Sequence, residues 1–541
     1  MNQSKGSPFE VLLSQMLKCR LLLIVILHTC FVVSCENLDV SSLSSQDIPE
    51  NENILRYDVS VPLTSLDPTE GVAYGSTFIH PFLYSYLFVP NAKGALEPDL
   101  ASKWFYDSED FVYTIYLRED ALFHDNKPVT PRDVKYSLEQ CLGNGHPNVY
   151  GSIDRIYLVS DTAISIHLEE DDPRFLYKVW DTCIVPEPHD GAPDSHDPPV
   201  GSGPFRFVHR IGEKEVVLEA NEDYFRGRPS LDQVVFYFQP DKEKTWTRLL
   251  SGNTDIVHEI SPKNYEMMKH HEERFYFHVY PLEWYSILLY NTKHVLFSDP
   301  RVRRALSHAI DREYIVEKIL RGFGVVAVGA MGINSPFHKP ELTPVLYQPK
   351  KGLRLLEEAG WSRSETGRYL VKDGESFEFT ILVFQESQIE KKVARHIRLC
   401  LNEVGIRVHL QCLPFSELTR RYIGNDEFEV ALTEFGGAYR DFECMKSLWR
   451  PDGSQKAAAG SFENPELSRR VGQALDETDP ARQEQLFHEI DAMIVSLQPG
   501  TFLFHKTAID VMSKRFKVAS PFSLTQAGVW RLIKDATLDE D

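Results

Sequence analysis

Strand-like and helix-like patterns follow one another along almost the whole chain. Residues 111–117 and 163–168 are rich in β-branched and aromatic side chains, which predicts strands at both places. Further on, a strand pattern at 377–384, a helical pattern at 391–404 and a strand pattern at 407–412 form a strand–helix–strand unit. Interleaving of this kind along the sequence predicts an α/β fold.

Three helix ends carry their own signals. Thr130 precedes a proline and stands three residues before Asp133, which predicts an N-cap and a capping-box-like pair. Asp299, which is also followed by a proline, predicts the start of a second helix. Gly360 predicts the end of a helix over 351–359, because glycine readily adopts the left-handed conformation that closes helices.

Length, charge and motif content exclude several classes of protein. The 541 residues leave room for two to four domains. The net charge of −21 disfavours nucleic acid as a partner, because an acidic protein repels phosphate backbones. The sequence contains no G-x-S-x-G, H-E-x-x-H or phosphate-loop motif, so an enzyme is not predicted. The histidine-containing stretches 189–197 and 270–278 fit no standard ligand spacing, and neither a metal nor a cofactor is predicted.

The first part of the chain has the features of an export signal. Lys18 and Arg20 precede an apolar run over 21–33, which is too short to span a bilayer comfortably. Met16 is the predicted start of a compact signal. The sequence VVSC, which ends at Cys35, resembles a bacterial lipobox. This resemblance implies that Cys35 is acylated and becomes the mature N-terminus.

These features predict a lipoprotein signal peptide at 1–35 and a flexible tether at 36–52, a segment rich in Ser, Asp, Glu and Asn. The alternative is a single membrane anchor that is never cleaved. The predicted location is periplasmic or otherwise extracytoplasmic, on a bacterial membrane to which acyl chains hold the protein. An odd number of cysteines follows Cys35, and Cys400 with Cys412 is the predicted disulfide, as the nearest pair.

A series of short motifs rich in glycine, proline and aspartate identifies a family. They are LDP at 66–68, EPDLASKW at 97–104, LREDALFHDNKPVTPRDV at 117–134, GSGPF at 201–205, NEDYF at 221–225, GNTDI at 252–256, NT at 291–292, FSDPRVRRA at 297–305 and AIDR at 309–312. Turn and capping chemistry explains most of these residues, so they are predicted to define the fold rather than to contact a ligand. In this order, the motifs resemble those of the family-5 extracellular solute-binding proteins, which include oligopeptide-, dipeptide- and nickel-binding proteins.

The resemblance implies a two-lobed α/β fold of the periplasmic-binding-protein kind, with a hinge between the lobes and an extra subdomain in the first. Carried over to this sequence, lobe I comprises residues 53–83, 200–282 and 506–541, the extra subdomain 84–199 and lobe II 283–505. A solute in the cleft between the lobes is buried when the hinge closes.

The same resemblance implies the function. The predicted role is that of the substrate-binding component of an ABC transporter, which captures a peptide-like solute and delivers it to a membrane permease and its ATPase. The alternatives are a non-peptide solute, namely a nickel complex, haem or an oligosaccharide, and a solute receptor that works without a transporter.

In peptide-binding relatives, a glycine-rich segment of lobe II carries an aromatic residue and an acid that pairs with the amino group of the peptide. The matching segment, FEVALTEFGGAYRD at 428–441, places Phe435 at the aromatic position and Ala438 at the position of the acid. Asp441, three residues further on, is the predicted substitute, because a buried ammonium group requires a partner.

Five further residues are predicted to contact the ligand. Tyr439 is a predicted cleft aromatic, and Arg440 is a predicted partner for a ligand carboxylate. Glu70 and Val72 lie in a segment that resembles the part of lobe I alongside bound peptide, where main-chain hydrogen bonds hold an extended chain. Phe504, where the C-terminal segment returns to lobe I, is a second predicted cleft aromatic.

Overall fold

The computed structural model of the protein describes residues 53–63, 65–70, 75–91, 96–143, 152–172, 175–188, 198–239, 241–333, 335, 337–363, 367–423, 426–436, 462–477, 479–517 and 537–538. Within these ranges, no helix combines the length and the apolar character needed to cross a membrane.

The strands within this part of the chain are β1 (Ile54–Val59), β2 (Phe88–Pro90), β3 (Leu96–Pro98), β4 (Ala101–Asp107), β5 (Val112–Leu117), β6 (Ile153–Ser160), β7 (Ala163–Leu168), β8 (Phe205–Ile211), β9 (Glu215–Ala220), β10 (Gln233–Phe238), β11 (Ile256–Val257), β12 (Phe275–Tyr290), β13 (Gly324–Val326), β14 (Ser362–Arg363), β15 (Leu370–Lys372), β16 (Glu375–Ser376), β17 (Glu378–Phe384), β18 (Arg407–Leu413), β19 (Val430–Phe435), β20 (Gly500–Ser513), β21 (Phe516–Lys517) and β22 (Thr537–Leu538).

The α-helices are α1 (His80–Leu83), α2 (Pro131–Gly143), α3 (Phe175–Val179), α4 (Lys242–Leu250), α5 (Pro262–Met268), α6 (Pro300–Ala309), α7 (Arg312–Tyr314), α8 (Pro349–Glu358), α9 (Gln388–Glu403), α10 (Phe415–Tyr422), α11 (Pro465–Asp476) and α12 (Pro480–Leu497). A π-helical turn, Ile315–Ile319, follows α7, and short 3₁₀ helices occupy Pro68–Glu70 and Ser76–Phe78. The interleaved order of strands and helices confirms the predicted α/β class.

One 11-stranded sheet forms the framework of the molecule. Its strand order is β18–β17–β19–β12–β20–β11–β1–β10–β9–β8, and β13 pairs with β20. At one end, β1 runs parallel to β10 and β11, and at the other β17 runs parallel to β18 and β19. We call β8–β11 with β1 the first half-sheet, and β17–β19 the second half-sheet. Among the described strands, the antiparallel pair β12 and β20 is what connects them.

Separate hydrophobic cores cover the parts of this framework. The core of the first half-sheet contains Tyr57, Phe82 and Phe236, all fully buried. A second core fills the four-stranded antiparallel sheet β4–β5–β7–β6 and the helices packed on it, around Ile115 and Ile164. Two more cores lie on the two faces of the second half-sheet. Each part therefore buries its own apolar surface, as separately packed lobes require.

The predicted helix ends are confirmed. Helix α2 begins at Pro131, and the carboxylate of Asp133 accepts hydrogen bonds from the backbone N–H and the hydroxyl of Thr130, at 2.8 and 2.6 Å. Helix α6 begins after Asp299, whose carboxylate accepts the N–H of Arg301 at 2.8 Å. Helix α8 ends just before Gly360, which has a φ of +92°.

The predicted disulfide between Cys400 and Cys412 is wrong, because both thiols are free. Cys400 is buried on α9, where its sulfur lies 3.4 Å from Nε2 of His396. Cys412 is exposed on β18. Nearness in sequence therefore does not bring the two sulfurs together, because a helix and its neighbouring strand direct them to different surroundings.

Candidate functional site

The two half-sheets meet at a break in the β12–β20 ladder. Regular pairing ends at Pro281 opposite Thr507 and resumes at Tyr285 opposite His505. Three residues of β12 therefore face a single residue of β20, a bulge that interrupts the ladder. A ring nitrogen of His505 lies 3.1 Å from the carbonyl oxygen of Leu282 and secures the bulge. We call residues 281–285 and 505–507 the crossing.

The carboxyl ends of the parallel strands point toward the crossing from both sides. In the second half-sheet, the end of β19 at Phe435 pairs with Tyr285. In the first half-sheet, β11 ends at Val257, which pairs with Val511 of β20. Three residues further on, the backbone N–H of Ile260 donates to the carbonyl oxygen of Ile509. Open α/β sheets bind ligands outside the carboxyl ends of their strands. The space between these two edges is therefore the candidate site.

The edge of the second half-sheet is rich in apolar side chains. Phe384 ends β17, and its ring makes an edge contact with Phe415 at the start of α10, with ring centroids 5.7 Å apart. Phe415 is 63% exposed, and Ile389 in the first turn of α9 is also exposed. At the crossing itself, Trp284 is 54% exposed. These side chains provide exposed apolar surface just after the carboxyl ends of β17 and β18 and at the crossing.

A charged group lies among them. The Glu434 Oε1 atom accepts a hydrogen bond from the Ser286 hydroxyl at 3.0 Å and lies 2.5 Å from Nζ of Lys506. The strands explain this arrangement, since Ser286 stands directly opposite Glu434 and Lys506 belongs to the crossing. Glu390, in the first turn of α9, is the second carboxylate of the group.

Within this charged group, Glu390 has the clearly shifted pKa. Burial, and to a lesser extent the nearby charge of Glu434, raise the pKa of the Glu390 carboxyl to about 7. Lys506 and a hydrogen bond from the Phe384 backbone oppose this rise. Its Oε2 atom is inaccessible to solvent and has no hydrogen-bond partner within the described part of the chain.

The facing edge of the first half-sheet is also polar. Asp510 is fully buried and accepts hydrogen bonds from the hydroxyl of Tyr280 at 3.0 Å and from the backbone N–H of Glu259 at 3.1 Å. The ring of His258 lies 2.7 Å from the same carboxylate. Asp510 therefore links the loop after β11 to β12 and β20, on the side of the crossing that is nearer to the first half-sheet.

The predicted site residues fall into three groups. Phe435 lies at the carboxyl edge of the second half-sheet, and Glu70 is exposed at the end of a 3₁₀ helix that follows β1. Phe504 is 1% exposed and packs in the core beneath α9, so it lies inside the lobe rather than on its surface. The others lie outside the described residues: Val72, Tyr439, Arg440, Asp441 and the predicted lipidation site, Cys35.

Sequence reasoning missed the charged group at the crossing. The one sequence signal for this group is that Glu434 directly precedes Phe435, within the glycine-rich segment 428–441. Nothing near Lys506 or Glu390 in the sequence links them to it. In the described residues, no cluster of three or more His, Cys, Asp or Glu side chains is arranged to hold a metal ion.

Comparison with known proteins agrees with this geometry. The family described as bacterial extracellular solute-binding proteins, family 5 Middle, matches residues 95–455. The oligopeptide-binding protein AppA of Bacillus subtilis is 26% identical over 447 residues, which cover 80% of this chain and 82% of AppA. Heme-binding protein A of Haemophilus influenzae is 23% identical over 466 residues, covering 79% and 82% of the two chains.

Solved structures share the fold. The structure of Bacillus subtilis AppA in complex with a nonapeptide has a TM-score of 0.70 at 24% identity, covering 90% of this chain and 99% of AppA. NikA from Brucella suis, solved in complex with Fe(III)-EDTA, has a TM-score of 0.79 at 22% identity, covering 90% and 100%. The two-lobed α/β fold predicted from the motifs is thereby confirmed. Because the family match spans well over half of the sequence, this chain belongs to the bacterial extracellular solute-binding proteins of family 5.

Proposed function

We propose that this protein is the substrate-binding component of an ABC importer and that it captures peptide-like solutes between its lobes. The observation that carries the proposal is the crossing, where, within the described residues, two antiparallel strands connect two half-sheets whose carboxyl edges face each other. A two-strand connection with a bulge is a natural hinge, and closure about it buries a ligand held between the edges.

The position of the crossing supports the lobe boundaries proposed from the sequence. Lobe I would comprise 53–83, 200–282 and 506–541, with the extra subdomain at 84–199, and lobe II would comprise 283–505. The changes of lobe after residues 282 and 505 fall within the crossing, in support of these boundaries. A ligand that binds the closed form more tightly then shifts the protein toward the form that a permease recognises.

We place the proposed ligand contacts on both edges. Glu70 and Val72 would line the side of lobe I, and Phe435, Tyr439, Arg440 and Asp441 the side of lobe II, with Phe504 supporting them from the core. The apolar side chains at the strand ends suit an extended peptide, which binding proteins hold mainly through its main chain. The same logic favours tolerance of different peptide side chains.

The charge of the edge favours a peptide over haem. Glu390 and Glu434 contribute two carboxyl groups against the single ammonium group of Lys506. Such a surface repels polyanionic solutes, for example haem with its two propionates, and attracts an amino group. A predicted acyl chain on Cys35 would keep the protein outside the cytoplasm on its membrane, close to a permease.

Calorimetric titration of residues 36–541, freed of co-purified ligand, tests the proposal. The titrants are tri-alanine, tri-leucine and tri-phenylalanine, with haemin, the nickel–histidine complex and maltotriose as the rival solutes. We expect saturable binding of at least one peptide and no comparable binding of the rivals. Binding of a rival solute alone would replace the peptide proposal while leaving the family unchanged.

A further inference from the structure

We propose that Cys141 and Cys183 form a disulfide bond that fastens helix α2 to the extended segment 183–187, and that a disulfide donor outside the cytoplasm introduces it. Both thiols are reduced in the structure, which therefore represents the dithiol form. The inference goes beyond solute binding, because it does not depend on which solute the cleft holds. It assigns a modification site to the predicted extra subdomain of lobe I.

Helix α2 and the segment 183–187 run side by side in a regular register. The carboxylate of Asp133 accepts the backbone N–H of Glu187 at 2.8 Å. One helical turn further on, the hydroxyl oxygen of Ser137 accepts the backbone N–H of Val185 at 3.0 Å. Four residues along the helix therefore correspond to two residues along the segment, in the opposite direction.

The next step of this register places Cys141 opposite Cys183. Four residues advance a helix by about 6 Å and two residues advance an extended chain by about 6.6 Å, so the two spacings stay matched. Ser137 and Cys141 lie on the same face of α2, because they are four residues apart. The sulfur of cysteine occupies the same γ position as the hydroxyl of serine, so a sulfur at position 141 reaches the segment as the Ser137 hydroxyl does.

The two cysteines belong to different hydrophobic cores. Cys141 packs against the core of the sheet β4–β5–β7–β6, and Cys183 packs against the core of the first half-sheet. The residues that follow Cys183 continue this division, since Ile184 is buried in the former core and Val185 in the latter. The segment thus follows the boundary between two separately packed parts, and a disulfide at 141 and 183 would join them covalently.

The two thiols are also accessible to a donor. Cys141 and Cys183 are both partly exposed, whereas Cys400 is buried on α9 and Cys412 is exposed on β18. A pair that is to be oxidised by exchange needs both an accessible sulfur and a nearby second sulfur, and Cys141 with Cys183 meets both needs. Disulfide donors act on exported proteins, and this chain belongs to an extracellular family.

Thiol–disulfide exchange accounts for the atoms and electrons of the reaction. The Cys141 thiolate attacks one sulfur of the donor's disulfide, which forms a mixed disulfide and releases one donor thiolate. The Cys183 thiolate then attacks the Cys141 sulfur and releases the second donor thiolate. The two thiol protons pass to the donor, which takes up two electrons and leaves as a dithiol. Burial raises the pKa of the Cys183 thiol, which favours Cys141 as the first nucleophile.

Counting of reactive thiols tests the proposal. Residues 36–541 are exported by the expression host, incubated with oxidised glutathione, precipitated with acid and alkylated with N-ethylmaleimide in denaturant, with or without prior reduction. The intact mass then gives the number of maleimide groups and identifies any glutathione adduct. The five cysteines that can react are Cys141, Cys183, Cys400, Cys412 and Cys444.

We expect three maleimide groups on the unreduced wild type and five after reduction, with a cross-linked peptide that contains Cys141 and Cys183 in a non-reducing digest. C141S and C183S should each take up four groups in both conditions. The matched control C412S removes an exposed cysteine and should keep a difference of two groups. Five groups on the unreduced wild type would overturn the proposal, and so would a cross-link from either cysteine to a different one.

Thermal unfolding followed by circular dichroism tests the fastening role separately. The bond closes a loop over 141–183 and restricts the unfolded chain, so the oxidised wild type should melt a few degrees above the reduced one. C141S and C183S should melt at the same temperature with and without reductant. Equal melting temperatures of the oxidised and the reduced wild type would contradict a stabilising bond at this place.

Discussion

The guanidinium group of Arg515 binds both carboxylate oxygens of Asp255, with Nε–Oδ1 and Nη2–Oδ2 distances of 2.7 and 2.9 Å. Asp255 directly precedes the short strand β11 and is 2% exposed, and its Oδ2 also accepts the backbone N–H of Arg56 at 2.8 Å. The chain that leaves β20 is thereby fastened to the first half-sheet. The GNTDI motif thus contributes a buried ion-pair partner as well as a turn.

Replacement of Arg515 by alanine should destabilise the protein. Asp255 would keep the backbone N–H of Arg56 and the guanidinium group of Arg56 at 3.9 Å, but it would lose its bidentate partner. Loss of one partner of a buried ion pair costs about 3–5 kcal/mol when the remaining charge has no other partner, so with Arg56 still in place we expect a loss of about 2–4 kcal/mol. Urea unfolding followed by circular dichroism measures the change. The matched variant R407A removes an exposed pair with Glu378 and should cost less than about 1 kcal/mol. Equal losses in the two variants would show that Arg515 contributes no more than a surface arginine.

Glu390 should make stability depend on pH. Its pKa in the folded protein, about 7, exceeds its ordinary value of 4.5, so the folded state holds the proton more tightly than the unfolded chain. The resulting stabilisation is fully present below about pH 4.5 and is lost as pH rises through 7. Between about pH 5 and about pH 8, the wild type should lose on the order of 1–2 kcal/mol relative to E390Q.

Urea unfolding of both proteins across this pH range tests the Glu390 prediction, with E378Q as the control for an exposed carboxylate. A difference between wild type and E390Q that stays constant with pH would contradict the raised pKa. A difference that grows in the opposite direction would show that the charged form of Glu390 is the one that the folded protein favours.

The predicted lipid anchor depends on Cys35. The variant C35A should appear in the soluble extracytoplasmic fraction, since it lacks the thiol that acyl chains modify. Cys30 offers a matched control, because it lies within the proposed signal peptide and C30A should remain with the membrane. Membrane fractionation followed by immunoblotting distinguishes the two. An unchanged membrane association of C35A would rule out lipid attachment at this residue.

Asp441 should contribute to ligand binding if it substitutes for the acid that Ala438 lacks. We expect D441A to weaken binding of the best tripeptide at least tenfold in calorimetric titration, the effect of losing a charge-assisted hydrogen bond. E427Q removes a carboxylate that pairs with Arg420 before β19 and should bind like the wild type. An unchanged affinity of D441A would identify Asp441 as a loop residue without a role in recognition.

Local signals predicted the elements of the fold well, because each depends on a few adjacent residues. Asp299 caps its helix, and Asn126 has a φ of +66° where the family has glycine. Arg303, in the FSDPRVRRA motif, is buried and donates to the carbonyl oxygens of Phe297 and Gln498 at 2.7 and 2.8 Å. This agrees with the prediction that the motifs mainly define the fold.

Contacts between distant segments were not predictable in this way. The motif GSGPF at 201–205 is among those that turn chemistry is predicted to explain, but a Cβ atom on Gly203 would lie 2.5 Å from the carbonyl carbon of Leu83. Close approach of two backbones, rather than turn geometry, is what requires glycine there. The pairing of Lys506 with Glu434 likewise depends on how β19, β12 and β20 align, and the sequence pattern carries no information on that register.

Native mass spectrometry of residues 36–541, purified without added ligand and measured before and after mild denaturation, tests the central claim most directly. The account predicts a heterogeneous set of co-purified masses that fit short peptides and that disappear on denaturation. A single discrete mass that fits no peptide would contradict the peptide proposal, because the cleft would then select one non-peptide solute.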